Sequence, residues 1–361
     1  MNIRRSYVVI AVVLVVAIAA VWFLFFRKAP TFTAVTWSGP YGRAQASALF
    51  IPYQQRSGVD VHFAQYDGGL AELRRRVTSK SYGWDVIDFE LPDAVEACDE
   101  GLLEPIDPAS LPDPGDFVPG ALGRCWVGSV VYSQAIAYAP HRFGAARPNA
   151  LADFFDTAKF PGPRALRGTD AKFNLELALL ADGVAPRDIY KVLSTPQGVA
   201  RALAKLGTLG PIVWWTRSSE PAAMLADGRA AFATILNGDI YNAAAQGREP
   251  GIIWDHQLYE LDVFAIPKGD PKREMAMDFI HFATAPENLA HVADWVPYGP
   301  ARRSALGLVT KNPELGTAMR RFLPTAPENF HNAFAIDDSW WRAHRAGVTA
   351  SWQAWQSLRN R

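Results

Sequence analysis

Apolar and polar residues change period several times along the chain, and the changes mark out its elements. "FTAVTW" (32–37) has the spacing of a strand and is broken by Ser38-Gly39-Pro40. Residues 43–56 carry Ala46, Leu49, Phe50 and Tyr53 at helical spacing, with Gly58 as a stop and Pro52 predicted to kink or shorten the helix. "VDVHF" (59–63) alternates as a strand; after Asp67-Gly68-Gly69, Leu70, Leu73 and Val77 mark a helix. "WDVIDF" (84–89) is a third strand, and Pro92-Asp93 opens a short helix ending at Gly101. The order β-α-β-α-β-α predicts a parallel sheet with right-handed crossovers. Ligands bind beyond the carboxyl ends of such strands. That rule brings Trp37-Ser38-Gly39, Tyr66-Asp67-Gly68-Gly69 and Glu90 to one crevice.

The pattern then predicts a second α/β unit. "VVYSQAIAYAP" (130–140) reads as a strand leaving the first. Helices are predicted at 150–157, 171–182, 187–192, 197–207 and 220–227, with strands at 212–215 and 230–235. Asn237-Gly238-Asp239 reads as a turn. A helix follows at 271–284, then a loop at 294–302. A final helix sets Trp341, Val348, Trp352 and Trp355 in one stripe, which reads as core packing.

Residues 258–267, "LYELDVFAIP", are apolar and β-prone yet hold Glu260 and Asp262. Residues two apart on a strand share a face, so the two carboxylates point the same way. Buried acids need a cation, from the protein or from a guest.

Composition narrows the choice of function. A chain of 361 residues is long enough for two lobes, and zero net charge gives no basic surface for nucleic acid. An uncharged run from Ser6 to Phe26 lies between Arg4-Arg5 and Arg27-Lys28. It is about as long as the roughly 20 residues needed to span a bilayer. Aromatic residues stand where a cleavage site would need small ones, which favours an uncleaved signal-anchor over a long cleaved signal. The bulk of the chain is then exported, tethered to the inner membrane through residues 6–26. Cys98 and Cys125, the only cysteines, can pair in an oxidising compartment or remain buried thiols. No GxSxG, Walker, GxGxxG or HExxH motif is present, and the seven histidines do not cluster, so neither an enzyme nor a cofactor or metal site is expected.

Several stretches, in this order and spacing, resemble the periplasmic solute-binding proteins of ABC transporters, in the branch that binds spermidine and putrescine. They are "WSGPYG", "YGWDVIDFELPDAVEACDEGLLEPID" (82–107), "ALADFFDTAKFPG" (150–162), "GRAAFATILNGDIYNA" (228–243), "YELDVFAIPKGDPKREMAMDFIHFATAPENLA" (259–290) and "VPYGPAR" (296–302). The resemblance implies a type II periplasmic binding protein fold, with two α/β lobes, a hinge and an interlobe ligand cleft. Lobe 1 is expected to comprise 31–135 and 263–305, and lobe 2 136–262 and 306–361, after an N-terminal segment 1–30. It also implies a monomer that hands a small cationic solute to permease subunits in the periplasm. Trp37, Asp262 and Tyr298 match ligand-contacting positions of the family; Asn237 and Asp239 are added as candidates. The chain departs from the polyamine pattern at Leu236 and Glu260, each in place of a tryptophan, at Glu90 in place of a serine and at Pro92 in place of a tyrosine. The aromatic box is thinner and acids replace part of it. This keeps a cationic ligand and weakens the case for a linear polyamine. A zwitterion fits too, since helix N-termini facing the crevice favour an anionic group. Two further readings stay open at this point: capture of a ferric ligand, and a membrane-anchored domain that senses its solute.

Overall fold

Strands β1 (Thr31–Trp37), β2 (Asp60–Tyr66) and β3 (Val86–Glu90) pair in parallel, as the alternating pattern predicts. The computed structural model describes residues 29–359. The apolar run 6–26, with its signal-anchor reading, lies outside them; among the described residues no helix is long and apolar enough to cross a membrane. Beyond β3 come β4 (Val127–Tyr138), β5 (Arg164–Arg167), β6 (Ile212–Trp215), β7 (Phe232–Leu236) and β8 (Gly251–Ala265). One mixed sheet results, in the order β2-β1-β3-β8-β4-β7-β5-β6. The two-residue strands β9 (Gly299–Pro300) and β10 (Phe334–Ala335) flank β4 and β8.

The long strands β4 and β8 run antiparallel through the middle and link two parallel groups, β1–β3 and β5–β7. Each passes from one hydrophobic core to another. Val127, Val130 and Val131 of β4 and Tyr259, Leu261, Val263, Phe264 and Ala265 of β8 pack with β1–β3. Ala135, Ile136, Ala137, Ile253 and Leu258 pack in the cores built on 151–258. The change falls where the register of the two strands shifts, between Gln134 and Ile136. There His256 takes a left-handed φ of 56°, a backbone uncommon outside glycine and one that marks a bulge.

Pro52 does not break its helix. Residues Gly39–Gln45 and Ile51–Ser57 are α-helical and Ala46–Phe50 forms a π-helical turn between them, with the Ile51 N–H reaching back to the Ala46 carbonyl. Widening the turn one residue before Pro52 absorbs the proline's missing donor and its ring. Gly58 ends the helix at φ 70°, as expected. Two other expectations are corrected. Asn237 opens a helix, Asn237–Ala245, rather than a turn, and the segment after Asp294 is helix up to Trp295 and contributes β9. Strand β5, "RALR", begins and ends in arginine and so has no apolar run to mark it, unlike the equally short "IVWW" of β6. The C-terminal helix Asp338–Arg359 buries Trp341, Val348 and Trp352 in the second core, as the stripe predicts. Cys98 and Cys125 form a disulfide, Cα–Cα 5.9 Å, between the end of helix Leu91–Asp99 and the approach to β4.

Candidate functional site

Three strands end at one place. β1 ends at Trp37, β3 at Glu90 and β7 at Leu236, and each is followed at once or within one residue by a helix N-terminus. These ends surround a cavity of about 390 Å³ between the two groups of cores. Tyr132 of β4, Asp262 of β8 and residues 295–298 complete its wall. The volume suits a small solute.

The floor is acidic. Asp262 is 5% exposed, and its Oδ1 has no hydrogen-bond partner among the described residues. Glu90 sits opposite it in the β3–β8 register and also lines the cavity. Burial, then the charges of Asp88, Glu90 and Glu260, push the Asp262 carboxyl well above the usual carboxylate range. Burial and then Glu260 push Glu90 up to about 7, while Lys172 pulls the other way. Beneath them Asp88 is fully buried and accepts from Ser129 Oγ at 2.6 Å and Gln45 Nε2 at 2.9 Å. Burial carries it to about 7 as well. Gln45 Nε2 also donates to Tyr41 Oη at 2.9 Å, so this buried network fixes Tyr41 on the cavity wall.

The walls are aromatic. Trp37, Tyr41, Tyr132, Tyr241, Trp295 and Tyr298 line the space. Tyr298 meets Tyr41 edge-on at 5.4 Å between ring centres, and Trp37 is braced edge-on by Tyr66 at 4.8 Å. The Trp37 indole N–H and the Tyr241 hydroxyl are buried without a hydrogen-bond partner among the described residues. Gly238 faces the Tyr298 ring, and a Cβ there would stand in ordinary contact with it at 3.4 Å.

Of the residues singled out in the sequence, Trp37, Ser38, Glu90, Asp262 and Tyr298 line this cavity. Gly39, Tyr66, Asp67, Asn237, Asp239 and Glu260 are not on its lining. Gly39 opens a helix at φ 78°, and Asp67 is exposed. Tyr66 backs Trp37 and donates to Asp93. Asn237 is a buried clamp: its Oδ1 accepts from the Ser133 N–H at 2.9 Å, and its Nδ2 donates to the carbonyls of Pro297 at 2.5 Å and Phe322 at 3.2 Å. Asp239, pushed by burial up to about 6, is bonded to Ser218 and to Asn242 of the wall. Glu260 is paired with Lys172 and accepts from Tyr132 Oη at 3.3 Å. Sequence reasoning missed Tyr41, Tyr132, Tyr241, Asn242 and Trp295. Reading 237–245 as a helix would have put Gly238, Tyr241 and Asn242 on one face, three and four residues apart. Among the described residues no group of three His, Cys, Asp or Glu is arranged to hold a metal ion.

A cavity at converging strand ends, walled by rings and floored by unpaired acids, is built for holding a solute. Comparison with known proteins agrees. The profile of the family "Bacterial extracellular solute-binding protein" matches residues 48–317. The gamma-aminobutyric acid-binding protein of Pseudomonas aeruginosa is 37% identical over 329 residues, 91% of each chain. The spermidine/putrescine-binding periplasmic protein of Escherichia coli is 22% identical over 269 residues, 73% of this chain and 76% of that one. The polyamine branch expected from the sequence is thus the more distant of these two relatives. The solved Atu4243–GABA receptor superposes with a TM-score of 0.73 at 29% identity, over 90% of this chain and 97% of that one. The mixed sheet, the cavity between its cores and a family profile spanning most of the length lead to one assignment: the chain belongs to the bacterial extracellular solute-binding proteins.

Proposed function

We propose that this substrate-binding component of an ABC transporter captures a small solute carrying a primary ammonium at one end and a carboxylate at the other. The observation that carries the reading is Asp262, a buried carboxylate on the cavity wall whose Oδ1 has no partner. An ammonium there, shared with Glu90, would form charge-assisted hydrogen bonds worth about 1.5–3 kcal/mol each. The faces of Trp37 and Tyr298 would add about 0.5–2 kcal/mol. At the other end, the N-terminus of helix Asn237–Ala245, the Trp37 indole N–H and the Tyr241 hydroxyl supply donors for a carboxylate. The P. aeruginosa relative and the Atu4243 receptor are both named for GABA, a molecule with those two ends.

A purely cationic, polyamine-like guest is the second reading. It is favoured by the grouping of Asp88, Glu90 and Asp262, to none of which an ion pair is formed among the described residues. In either case the two groups of cores act as lobes, 31–135 with 263–305 and 136–262 with 306–361. They would close on the guest and present it to the permease in the periplasm, with residues 6–26 as the tether.

Calorimetric titration with 4-aminobutyrate, its shorter and longer homologues, 1,4-diaminobutane and spermidine tests the choice. Nanomolar-to-micromolar binding of an ω-amino acid supports the first reading. Binding confined to the polyamines supports the second, and no binding of any amine would remove both.

A further inference from the structure

We infer that Lys172 sets the charge of the accepted solute: its ammonium holds, as part of the protein, the place that a second amine of the guest would otherwise take. The inference rests on the reading that Asp262 receives an ammonium.

Glu260 and Asp262 occupy alternate positions of β8. Carboxylates so placed lie about 6.6 Å apart along a strand, close to the separation of the two nitrogens in an extended four-carbon diamine. The two acids have different partners. Asp262 lines the cavity with one oxygen unpaired. Glu260 stands one side chain behind the wall. It lies opposite Tyr132 in the β4–β8 register, and the hydroxyl of Tyr132, itself a lining residue, donates to Glu260 Oε2 at 3.3 Å. Its other oxygen is taken by Lys172 Nζ.

Lys172 is held firmly in that position. It is 7% exposed, its ammonium donates to Asp338 Oδ1 at 2.8 Å, and its backbone N–H is bonded to Asp170 Oδ1 at 3.1 Å. Asp338 heads the C-terminal helix, so the lysine is locked between that helix and β8. Part of the acidity of this floor is therefore neutralised from within, and part is left for the guest. A second ammonium arriving near Glu260 would find that carboxylate already paired and would meet the Lys172 charge in a poorly screened setting, whereas removing Lys172 would leave Glu260 and Asp338 uncompensated, which disfavours a guest carboxylate. Discrimination of this kind comes from the repulsive element as much as from the attractive one.

The test compares wild type with Lys172→Met, using 4-aminobutyrate and 1,4-diaminobutane as probes, by calorimetry and by the shift in Tm each probe produces. The expected result is a gain of at least tenfold in affinity for 1,4-diaminobutane in Lys172→Met, with a larger diamine-induced rise in Tm than in wild type. Binding of 4-aminobutyrate should weaken. Adding Asp262→Asn to Lys172→Met should abolish the diamine gain, because the diamine then has one anchor. Lys172→Met leaves two buried acids, and its folding is judged by circular dichroism. Lys172→Met/Asp338→Asn removes one positive and one negative group together, leaves Glu260 as the single new anchor, and should show the same gain. A folded variant of either kind with no gain in diamine binding overturns the inference. Failure of wild type to bind 4-aminobutyrate or any of its homologues overturns the ligand reading instead, and the difference between variant and wild type toward the diamine still decides the role of Lys172.

Discussion

Glu90 and Asp262 face one another in register across strands β3 and β8, and both lie on the cavity wall. Like charges directly opposite on paired strands repel, and Asp262 is short of water while Glu90 stands at the exposed end of its strand. In the ligand-free protein, burial and neighbouring acids hold Asp262 well above its ordinary range and Glu90 at about 7, so both hold a proton more tightly than a free carboxyl does. A bound ammonium reverses that preference.

Ligand binding should therefore release protons. Affinity for 4-aminobutyrate is expected to rise as pH increases from about 5 toward 7, by roughly tenfold per pH unit for each linked proton. Titrations at one pH in buffers of different ionisation enthalpy would show the release directly. Equal heats in all buffers at pH 6 would contradict it.

The stability of the empty protein should move the other way. Asp88, Glu90 and Glu176 are each raised by burial to about 7. A raised carboxyl is protonated in the folded state while the unfolded chain has already lost its proton. The folded state therefore binds more protons between about pH 4.5 and 7, and stability falls with rising pH across that window. The contribution of these three groups is fully present below about pH 4.5 and lost once pH passes 7. Scanning calorimetry of the ligand-free protein from pH 5 to 8 should show Tm declining, and saturating ligand should flatten the decline.

Replacing Asp262 by Asn separates binding from folding. The amide keeps the shape and removes the charge meant for the ammonium, so affinity should drop by about 1.5–3 kcal/mol, ten- to a hundredfold or more. The ligand-free variant should be at least as stable as wild type at pH 8, because a buried charge without a partner has been removed. Strong destabilisation with unchanged affinity would show that Asp262 serves the fold.

Some of this site was legible in the sequence and some was not, for physical reasons. The period-two strands gave away β1, β2 and β3, and their order placed Trp37, Ser38 and Glu90 at one end of a parallel sheet. The same alternation put Glu260 and Asp262 on one face of β8. What periodicity cannot report is the long-range partner: Lys172 stands 88 residues before Glu260 in the chain, and only the folded β5-to-helix loop brings it there. Asn237-Gly238-Asp239 is a turn by local preference, and the end of β7 together with the buried clamp made by Asn237 turns it into a helix start. The proline rule marks a disturbance at Pro52, but not its form, a π turn that lets the helix run on to Ser57.

Asn237 should matter for stability and for the cavity together. Its amide ties β4 at Ser133 to the carbonyls of Pro297 and Phe322, and Pro297 precedes the lining residue Tyr298. Asn237→Ala strands a buried N–H and two carbonyls, each costing about 1–3 kcal/mol if left unpaired. Urea unfolding should show a loss of at least about 2 kcal/mol on that scale, and ligand affinity should weaken as the 295–298 segment loses its anchor. An unchanged midpoint would mean that the surrounding backbone finds other partners.

The disulfide offers the last test, and its effect reaches the site through one helix. Helix Leu91–Asp99 begins immediately after the cavity residue Glu90 and carries Cys98 near its far end. Cys98 is bonded to Cys125, 27 residues on, beside the start of β4. Restricting the unfolded chain over a loop of this length stabilises the fold by about 3.5 kcal/mol on the chain-entropy account. The double variant Cys98→Ser/Cys125→Ser should lose about that much in urea unfolding, and reductant should lower the Tm of wild type but not of the variant. Arg124 donates to the Cys98 carbonyl at 3.2 Å and Arg342 of the C-terminal helix pairs with Asp99 at 2.6 Å, so the helix end stays tethered without the disulfide. Ligand affinity should then change by less than about threefold while stability falls, consistent with a cross-link that acts chiefly on the unfolded state. A parallel collapse of binding would show instead that the disulfide holds Glu90 in place.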